Sequence, residues 1–205
     1  MPFFDGVSGQ VHHRDWSCAD PVAGLVFLHG MGQHSGHYHR FARELGAAGI
    51  ATWALDHVGH GLSEGDLGDP GPIADLGANA LRLTEIAEQQ QPGLPLAIMG
   101  HSLGAAAALA ALEQDPQRFA AVILCGLPRR VAAGPGPTGV TAPILIVHGV
   151  DDRLAPVDGA RTWAAAVPGA RLIEYEDAGH DLLHEPVHRR VTSDVAAFVR
   201  DTVQP

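Results

Sequence analysis

The feature that most constrains the fold of this chain is a serine between two glycines, where an apolar run passes into a run of helix formers. The segment reads Pro95-Leu-Ala-Ile-Met-Gly-His-Ser102-Leu-Gly-Ala-Ala-Ala-Ala-Leu. Its first half predicts a buried strand and its second half a helix. When a strand passes into a helix at a single residue, here Ser102, the turn leaves no room for side chains two residues before and two residues after it. Gly100 and Gly104, which have no side chain, fit at these two positions. Ser102 is then exposed at the sheet edge as a candidate nucleophile.

A second Gly-x-Ser-x-Gly sequence occurs earlier in the chain, at Gly61-Leu-Ser63-Glu-Gly65. It is followed by Asp66-Leu-Gly-Asp-Pro-Gly-Pro72, whose prolines and glycines exclude a helix. Ser63 therefore lacks the helix that must follow such a turn, and we predict that it is a loop serine.

Apolar runs alternate with segments of helical spacing along most of the chain. Continuous apolar runs indicate strands buried on both faces, and such strands separated by helices indicate a parallel sheet. The predicted strands cover residues 11–16, 24–28, 50–55, 94–99, 120–125, 144–148 and 171–175. The predicted helices cover residues 38–48, 73–91, 102–114, 157–167 and 186–203. We therefore predict the α/β class, with a mostly parallel central sheet, helices on both faces and a single domain over residues 1–205.

The composition excludes several classes of partner. Of 205 residues, 46% are hydrophobic and 18% charged, and the formal net charge is −10. Nucleic acids and anionic membranes attract basic patches, so we predict no nucleic-acid partner. No apolar run approaches the roughly 18 residues of a membrane span, and no signal peptide is visible. We therefore expect a cytoplasmic protein without stable membrane insertion, and its two cysteines provide no disulfide framework.

Thirteen histidines raise the question of a metal site. The tight ligand spacings of zinc sites, such as His-Glu-x-x-His, are absent, and we predict no metal. Several histidines stand in polar surroundings and are expected to be solvated: His12, His13, His34, His37 and His39.

Polar side chains follow three of the predicted strands at their carboxyl ends, where parallel sheets bind ligands. They are Ser102, the neighbours Asp151 and Asp152, and His180. A serine hydroxyl needs a base to take its proton, an imidazole can supply the base, and a carboxylate can orient that imidazole. On this argument either aspartate is a candidate for the acid.

Five segments carry a family resemblance. They read His29-Gly-Met-Gly-Gln-His-Ser-Gly-His-Tyr38, Asp56-His-Val-Gly-His-Gly-Leu-Ser-Glu-Gly65, Gly100-His-Ser-Leu-Gly104, His148-Gly-Val-Asp-Asp152 and Gly179-His180. With the order serine, aspartate, histidine, the chain resembles the monoacylglycerol lipase-like α/β-hydrolases, also grouped with the serine aminopeptidase-like (S33-type) hydrolases. The resemblance implies an α/β-hydrolase fold, a nucleophile at Ser102, a base at His180 and no cofactor. The family's His-Gly-x-x-Asp pattern puts the acid at Asp152.

The resemblance also implies where an oxyanion and a substrate bind. The backbone N–H groups of Met31 and Leu103 are expected to form an oxyanion hole. The candidate substrate-binding residues are Gly30, His101 and Arg129. Two alternatives stay open, because His29 and His101 also fit structural roles in their turns, and Arg129 and Arg130 also fit a solvated pair.

The chain departs from the family pattern where a helical cap is usually inserted. Between the strands at 120–125 and 144–148 stands Gly126-Leu-Pro-Arg-Arg-Val-Ala-Ala-Gly-Pro-Gly-Pro-Thr-Gly-Val-Thr141. Its prolines and glycines allow no more than one turn of helix. We expect a minimal cap or none, replaced by a short loop at 127–141.

These observations predict a lidless serine esterase, similar to monoacylglycerol lipases. We expect it to act on short- to medium-chain or open-cleft small-molecule esters through an acyl-serine intermediate. A thioesterase or an amidase would use the same groups. A hydrolase-fold ligand-binding protein with little turnover is the alternative from another class. The sequence predicts no oligomeric state.

Overall fold

The computed structural model describes residues 2–203. In chain order the strands are β1 (Phe3–Gly6), β2 (Gly9–Trp16), β3 (Ala23–Leu28), β4 (Ile50–Leu55), β5 (Leu96–His101), β6 (Ala121–Cys125), β7 (Ile144–Gly149) and β8 (Ala170–Tyr175). The helices are α1 (His39–Ala47), α2 (Ile73–Gln90), α3 (Leu103–Gln114), α4 (Arg129–Ala132), α5 (Val157–Ala166) and α6 (His188–Val203). A 3-10 turn, Ser35–Tyr38, precedes α1.

The strands of residues 2–203 form one sheet in the order β1-β2-β4-β3-β5-β6-β7-β8. From β4 to β8 every neighbouring pair is parallel. The first two strands are antiparallel to their neighbours. The prediction of a mostly parallel sheet is therefore confirmed. β1 was absent from the predicted strands because its residues alternate between exposed and half-buried positions and form no apolar run.

The sheet separates two hydrophobic cores, one on each face. Successive residues of a strand point to opposite faces. In β3, Val26 and Leu28 accordingly belong to one core, which includes residues of α2, α3 and α5. Leu25 and Phe27 belong to the other, which includes residues of α1 and α6. All residues of β3 to β7 are buried, which explains why these strands read as uninterrupted apolar runs.

The segment between β6 and β7 contains a single short helix, α4, of four residues. Pro128 precedes α4, and Pro135 and Pro137 follow it, so proline limits the helix on both sides. The fold is therefore an α/β sheet with a minimal cap, and the carboxyl ends of its central strands are left accessible beside this segment.

The structure corrects the expectation that His12 and His13 are solvated. Both are buried, with 0% and 4% of their surface exposed. The reason is that β2 lies inside the sheet between β1 and β4. His37 and His39 are exposed as expected, and His34 is half-buried.

Neither a membrane-spanning helix nor a group of metal-binding side chains is present among the described residues. Within residues 2–203 no helix combines the length and apolar character needed to cross a bilayer. Over the same range no group of three His, Cys, Asp or Glu residues is placed to hold a metal ion.

Candidate active site

The turn between β5 and α3 has the strained geometry that the sequence predicted. Ser102 has φ 52° and ψ −112°, in a region that residues other than glycine rarely occupy. Its N–H donates to the Cys125 carbonyl at 2.9 Å, which holds the turn against β6. A Cβ at Gly100 would overlap the carbonyl of Gly104, and a Cβ at Gly104 would overlap the carbonyl of Leu28. Glycine is therefore required on both sides of the serine.

Three side chains from three loops form a hydrogen-bonded series at this edge of the sheet. Ser102 Oγ lies 2.9 Å from Nε2 of His180, which is in the loop after β8. Nδ1 of His180 lies 2.6 Å from Oδ2 of Asp152, which is in the loop after β7. The other carboxylate oxygen, Oδ1, accepts the N–H groups of Leu154 and Ala155 at 2.9 and 2.8 Å. The carboxylate of Asp152 thus has a separate set of partners for each oxygen.

The hydrogen bonds around Asp152 decide its charge. Burial by itself would raise the pKa of this carboxyl group, but the hydrogen bonds from His180 and Ala155 outweigh burial and hold the pKa below its ordinary value. Asp152 is therefore ionised at neutral pH. An ionised carboxylate favours the proton on Nδ1 of the imidazole, which leaves Nε2 free to accept the hydroxyl proton of Ser102.

The competing candidates lie elsewhere. Asp151 is exposed, and its backbone N–H donates to the Ala178 carbonyl at 2.9 Å. Ser63 lies in a loop, where its hydroxyl donates to the Asp56 carbonyl at 2.6 Å and accepts the N–H of His12 at 2.9 Å. These contacts give Ser63 a structural role in joining its loop to β2.

The turn after β3 is fixed by the buried side chain of His29 and the half-buried side chain of Gln33. The Nδ1–H group of His29 donates to the Gly30 carbonyl at 2.8 Å, and Nε2 accepts the N–H of His57 at 2.9 Å. Burial lowers the pKa of His29 to about 4, so this ring is neutral and keeps both bonds at neutral pH. Gln33 Oε1 accepts the Gly30 N–H at 3.0 Å, and its Nε2 donates to Asp181 at 3.1 Å. Gln33 thus joins this turn to the residue after His180.

The residues proposed for the oxyanion hole lie beside the serine. Met31 is 54% exposed. Met31 and Leu103 line the same cleft as Ser102 and His180. Gly30 uses its own N–H for Gln33.

Two of the proposed substrate-binding residues, His101 and Gly30, make hydrogen bonds within the protein. His101 is buried, and its Nε2–H donates to the backbone carbonyl of His180 at 2.9 Å, while Nδ1 lies 3.1 Å from Gln33 Oε1. Burial lowers the pKa of His101 to about 4. Neither His101 nor Gly30 is part of the cleft wall. The interpretation that His101 positions its turn is the one that its contacts support.

Two further side chains support the site and were not predicted from the sequence: the half-buried Glu185 and the buried His148. Glu185 accepts the N–H of Gly179 at 2.6 Å and that of Asp181 at 3.0 Å, so it holds both residues that flank His180. His148 accepts the Leu127 N–H on Nδ1 at 3.1 Å and donates from Nε2 to the Ala155 carbonyl at 2.7 Å. The signal for His148 was its place at the end of a wholly buried strand, where a polar side chain needs partners.

A cleft of about 1070 Å³ opens from Ser102 and His180. One face of α3 forms its floor, with Leu103, Ala106 and Leu109 along it and Glu113 at the far end. Residues 70, 71 and 73 form one wall and residues 128–131 and 134–138 the other. The third proposed substrate-binding residue, Arg129, lies on this second wall.

The comparisons with known proteins agree with this fold. The family described as "Serine aminopeptidase, S33" matches residues 19–133. The chain belongs to this family of serine hydrolases. A second family description, "TAP-like protein", matches residues 127–205.

Two lipases and one solved structure are among the proteins to which this chain is similar. The monoacylglycerol lipase of Mycolicibacterium smegmatis is 27% identical over 266 aligned positions, covering 96% of this chain and 95% of that protein. The human monoglyceride lipase is 33% identical over a region that covers 60% of this chain and 42% of that protein. The structure of Est1E from Butyrivibrio proteoclasticus with ferulic acid has a TM-score of 0.85, 17% identity and complete coverage of both chains.

Together these findings make the chain an α/β-hydrolase of the lipase and esterase type. The alignment with the Mycolicibacterium protein spans 266 positions, more than the 205 residues of this chain, so that relative has residues that this chain lacks.

Proposed function

We propose that this protein is a serine esterase, similar to monoacylglycerol lipases, that hydrolyses small carboxylic esters through an acyl-serine intermediate. The observation that carries the proposal is the continuous hydrogen-bonded series from Ser102 through His180 to the ionised Asp152, at one end of an open cleft. We also propose that residues 1–205 form a single domain, with the loop at 127–141 in place of a cap.

In the first half of the reaction, Nε2 of His180 takes the proton of Ser102 as Oγ attacks the ester carbonyl. The carbonyl oxygen becomes an oxyanion, which the N–H groups of Met31 and Leu103 stabilise. Such donors typically contribute about 3 kcal/mol each at the transition state. His180 then gives its proton to the departing alcohol, and the acyl group stays on Ser102.

In the second half, water takes the place of the alcohol. His180 removes a proton from the water as its oxygen attacks the acyl-serine carbonyl, and the proton returns to Oγ when the carboxylic acid leaves. Asp152 stabilises the imidazolium in both halves without taking its proton.

The floor of the cleft sets the expected range of acyl chains. From Leu103 to Glu113 the helix rises about 15 Å, at about 1.5 Å per residue. An extended acyl chain advances roughly 1.3 Å per methylene, given C–C bonds of about 1.5 Å, so about twelve carbons would reach the acidic end. Each buried methylene contributes about 0.8 kcal/mol, and further carbons would enter water. We therefore expect kcat/KM to rise from acetyl to medium-chain esters and then stop rising.

A panel of p-nitrophenyl esters from acetyl to palmitoyl, assayed below and above substrate solubility, tests this proposal. We expect a maximum at short to medium chains and no jump when an emulsion forms, because the minimal cap leaves no lid to open. A rate that climbs to palmitoyl, or jumps with emulsion, would contradict the substrate range. Absence of turnover on every ester, with activity on matched thioesters or amides, would contradict the reaction class.

The substitution Ala106→Leu tests the acyl path. It adds three carbons above the half-buried first turn of the cleft floor. We expect kcat/KM for octanoyl ester to fall about tenfold while the acetyl ester is retained, since acetyl does not reach this turn. Ala165→Leu, at an exposed position of α5, is the matched control. Equal losses on both esters would show that the chain follows another path.

A further inference from the structure

The side chain of Arg129 contacts the loop that carries Asp152. Its Nε donates to the Leu154 carbonyl at 2.8 Å and its Nη2 donates to the Arg153 carbonyl at 3.2 Å. Arg129 lies on α4, in the segment between β6 and β7, so these bonds join that segment to the loop after β7. The guanidinium is therefore already engaged by protein, in a position where the sequence had suggested contact with substrate.

The two peptide groups that Arg129 contacts are the same two that hold Asp152. The Arg153 carbonyl and the Leu154 N–H belong to one peptide group, and the Leu154 carbonyl and the Ala155 N–H belong to the next. Arg129 binds the oxygen side of each group. Oδ1 of Asp152 binds the N–H side of each, at 2.9 and 2.8 Å.

This arrangement places two peptide dipoles side by side between a cation and an anion, and each peptide group links the guanidinium to the carboxylate through two hydrogen bonds in series. Because a trans peptide directs its C=O and N–H to opposite sides, both groups are oriented correctly for the guanidinium and the carboxylate at once. Hydrogen bonds in series polarise one another, and bonds to charged groups are stronger than neutral ones. Leu154 is 69% exposed, so its own side chain does little to hold these two peptide groups, whereas Asp152 and Ala155 on either side of the turn are buried.

We propose that Arg129 is a positioning residue of this site, which fixes the orientation of Asp152 through the peptide groups of residues 153–155. The inference rests on the proposed role of Asp152 as the acid of the reaction. With Oδ1 held, Oδ2 stays directed at Nδ1 of His180, 2.6 Å away. The segment that stands in place of a cap thereby supports catalysis through the loop after β7, because the Arg129 guanidinium binds that loop and does not recognise the substrate.

The neighbouring Arg130 provides a matched control. It belongs to the same short helix and is exposed, and its guanidinium makes none of the contacts to residues 153–155. Arg129→Ala and Arg130→Ala remove the same charge from the same helix. Arg129→Lys keeps the charge but loses the planar pair of donors, because an ammonium group binds as a point charge.

The experiment measures kcat and KM for these three variants and the parent on a neutral ester, p-nitrophenyl butyrate. The ¹H NMR resonance of the short hydrogen bond between His180 and Asp152 is recorded in parallel. We expect Arg129→Ala to lower kcat about tenfold with little change in KM, since a charge-assisted pair is lost away from the substrate. Its low-field resonance should move or broaden. Arg129→Lys should recover part of kcat, and Arg130→Ala, which removes a cleft residue without contacts to residues 153–155, should keep the low-field resonance of the parent.

Three results would overturn the inference. One is an equal change of the low-field resonance in Arg129→Ala and Arg130→Ala, and another is a rise in KM with kcat unchanged in Arg129→Ala, which would mark a substrate contact. The third is an unaltered low-field resonance in Arg129→Ala. Circular dichroism checks folding, and Arg129→Lys carries the comparison if the alanine variant is unfolded. A parent enzyme without turnover on any ester would instead contradict the proposed function, so the two failures are distinguishable.

Discussion

At the scale of single residues, the geometry of the site depends on the hydrogen-bond partner of each buried polar atom. In His29 and His148, one ring nitrogen donates and the other accepts, so each buried imidazole is neutral and fixed in one tautomer. In Asp152, one carboxylate oxygen accepts two backbone N–H groups and the other contacts Nδ1 of His180. A buried polar group with all partners in place has one orientation, which is what a reacting group needs.

This division of the carboxylate predicts different effects at the two neighbouring aspartates. Asp152→Asn should lower kcat about 10⁴-fold, because an amide cannot both keep Nδ1 protonated and stabilise the imidazolium. Asp151→Asn should stay near the parent rate, since Asp151 is exposed and outside the hydrogen-bonded series. Steady-state kinetics on one ester decide the matter, and equal losses or the reverse order would contradict the assignment of the acid.

The residue scale also shows what the sequence could and could not predict. Ser102, His180 and an aspartate at 151 or 152 could be proposed because each follows a predicted strand, and the carboxyl ends of parallel strands meet at one edge. The choice of Asp152 over Asp151 came from the family resemblance. Arg129 binds the carbonyls of Arg153 and Leu154, 24 and 25 residues away, and Gln33 donates to the side chain of Asp181, 148 residues away, and nothing local in the sequence signals such contacts. The burial of His12 was missed because it depends on β1, whose strand pattern is weak.

At the scale of elements, the β5–α3 unit determines where the serine sits. α3 is apolar almost all round, since its sequence is LGAAAALAALEQ. Such a helix is normally buried, yet here one face lines the open cleft. Its other faces pack against the sheet and α2, and the close approach at Gly104 sets the distance between α3 and β3. The predicted bounds of these two elements lie within two residues of the observed ones because glycines and prolines delimit them.

This close approach predicts unequal effects of alanine at two helical glycines. Gly104→Ala should lower the free energy of unfolding by about 3 kcal/mol, because the new Cβ would overlap the Leu28 carbonyl and α3 would have to move. Gly46→Ala in α1 meets only Cys18 Cβ at 3.6 Å, and should raise stability by about 0.5–1 kcal/mol through helix propensity. Chemical denaturation measures the free energy of unfolding of both variants. An unchanged free energy of unfolding in Gly104→Ala would contradict the packing described.

At the scale of the whole molecule, the native state buries several histidines in neutral form. Burial lowers the pKa of His29 and of His101 to about 4, and that of the wholly buried His57 well below its ordinary value of 6.5. In the unfolded chain these rings titrate near 6.5. Between pH 6.5 and pH 4 the unfolded state therefore binds more protons than the native state. Stability is fully present above pH 6.5 and decreases as the pH falls.

His57 offers a clean test of this dependence, because neither of its ring nitrogens has a hydrogen-bond partner among the described residues. His57→Phe should leave stability at pH 7 unchanged or slightly higher, since it removes an unsatisfied buried group. The free energy of unfolding should also decrease less steeply between pH 6.5 and pH 5. The slope should be smaller by about 1.4 kcal/mol per pH unit, which is the contribution of one proton. The exposed His37→Phe is the control. An unaltered slope in His57→Phe would contradict the account.

The central claim is that Ser102, and not Ser63, forms the covalent intermediate. Stoichiometric labelling with a fluorophosphonate, followed by intact-mass measurement and peptide mapping, tests it most directly. We predict one adduct per chain on Ser102, loss of ester hydrolysis in proportion to labelling, no labelling of Ser102→Ala and normal labelling of Ser63→Ala. An adduct on Ser63, or an unlabelled chain that still hydrolyses esters, would contradict the account.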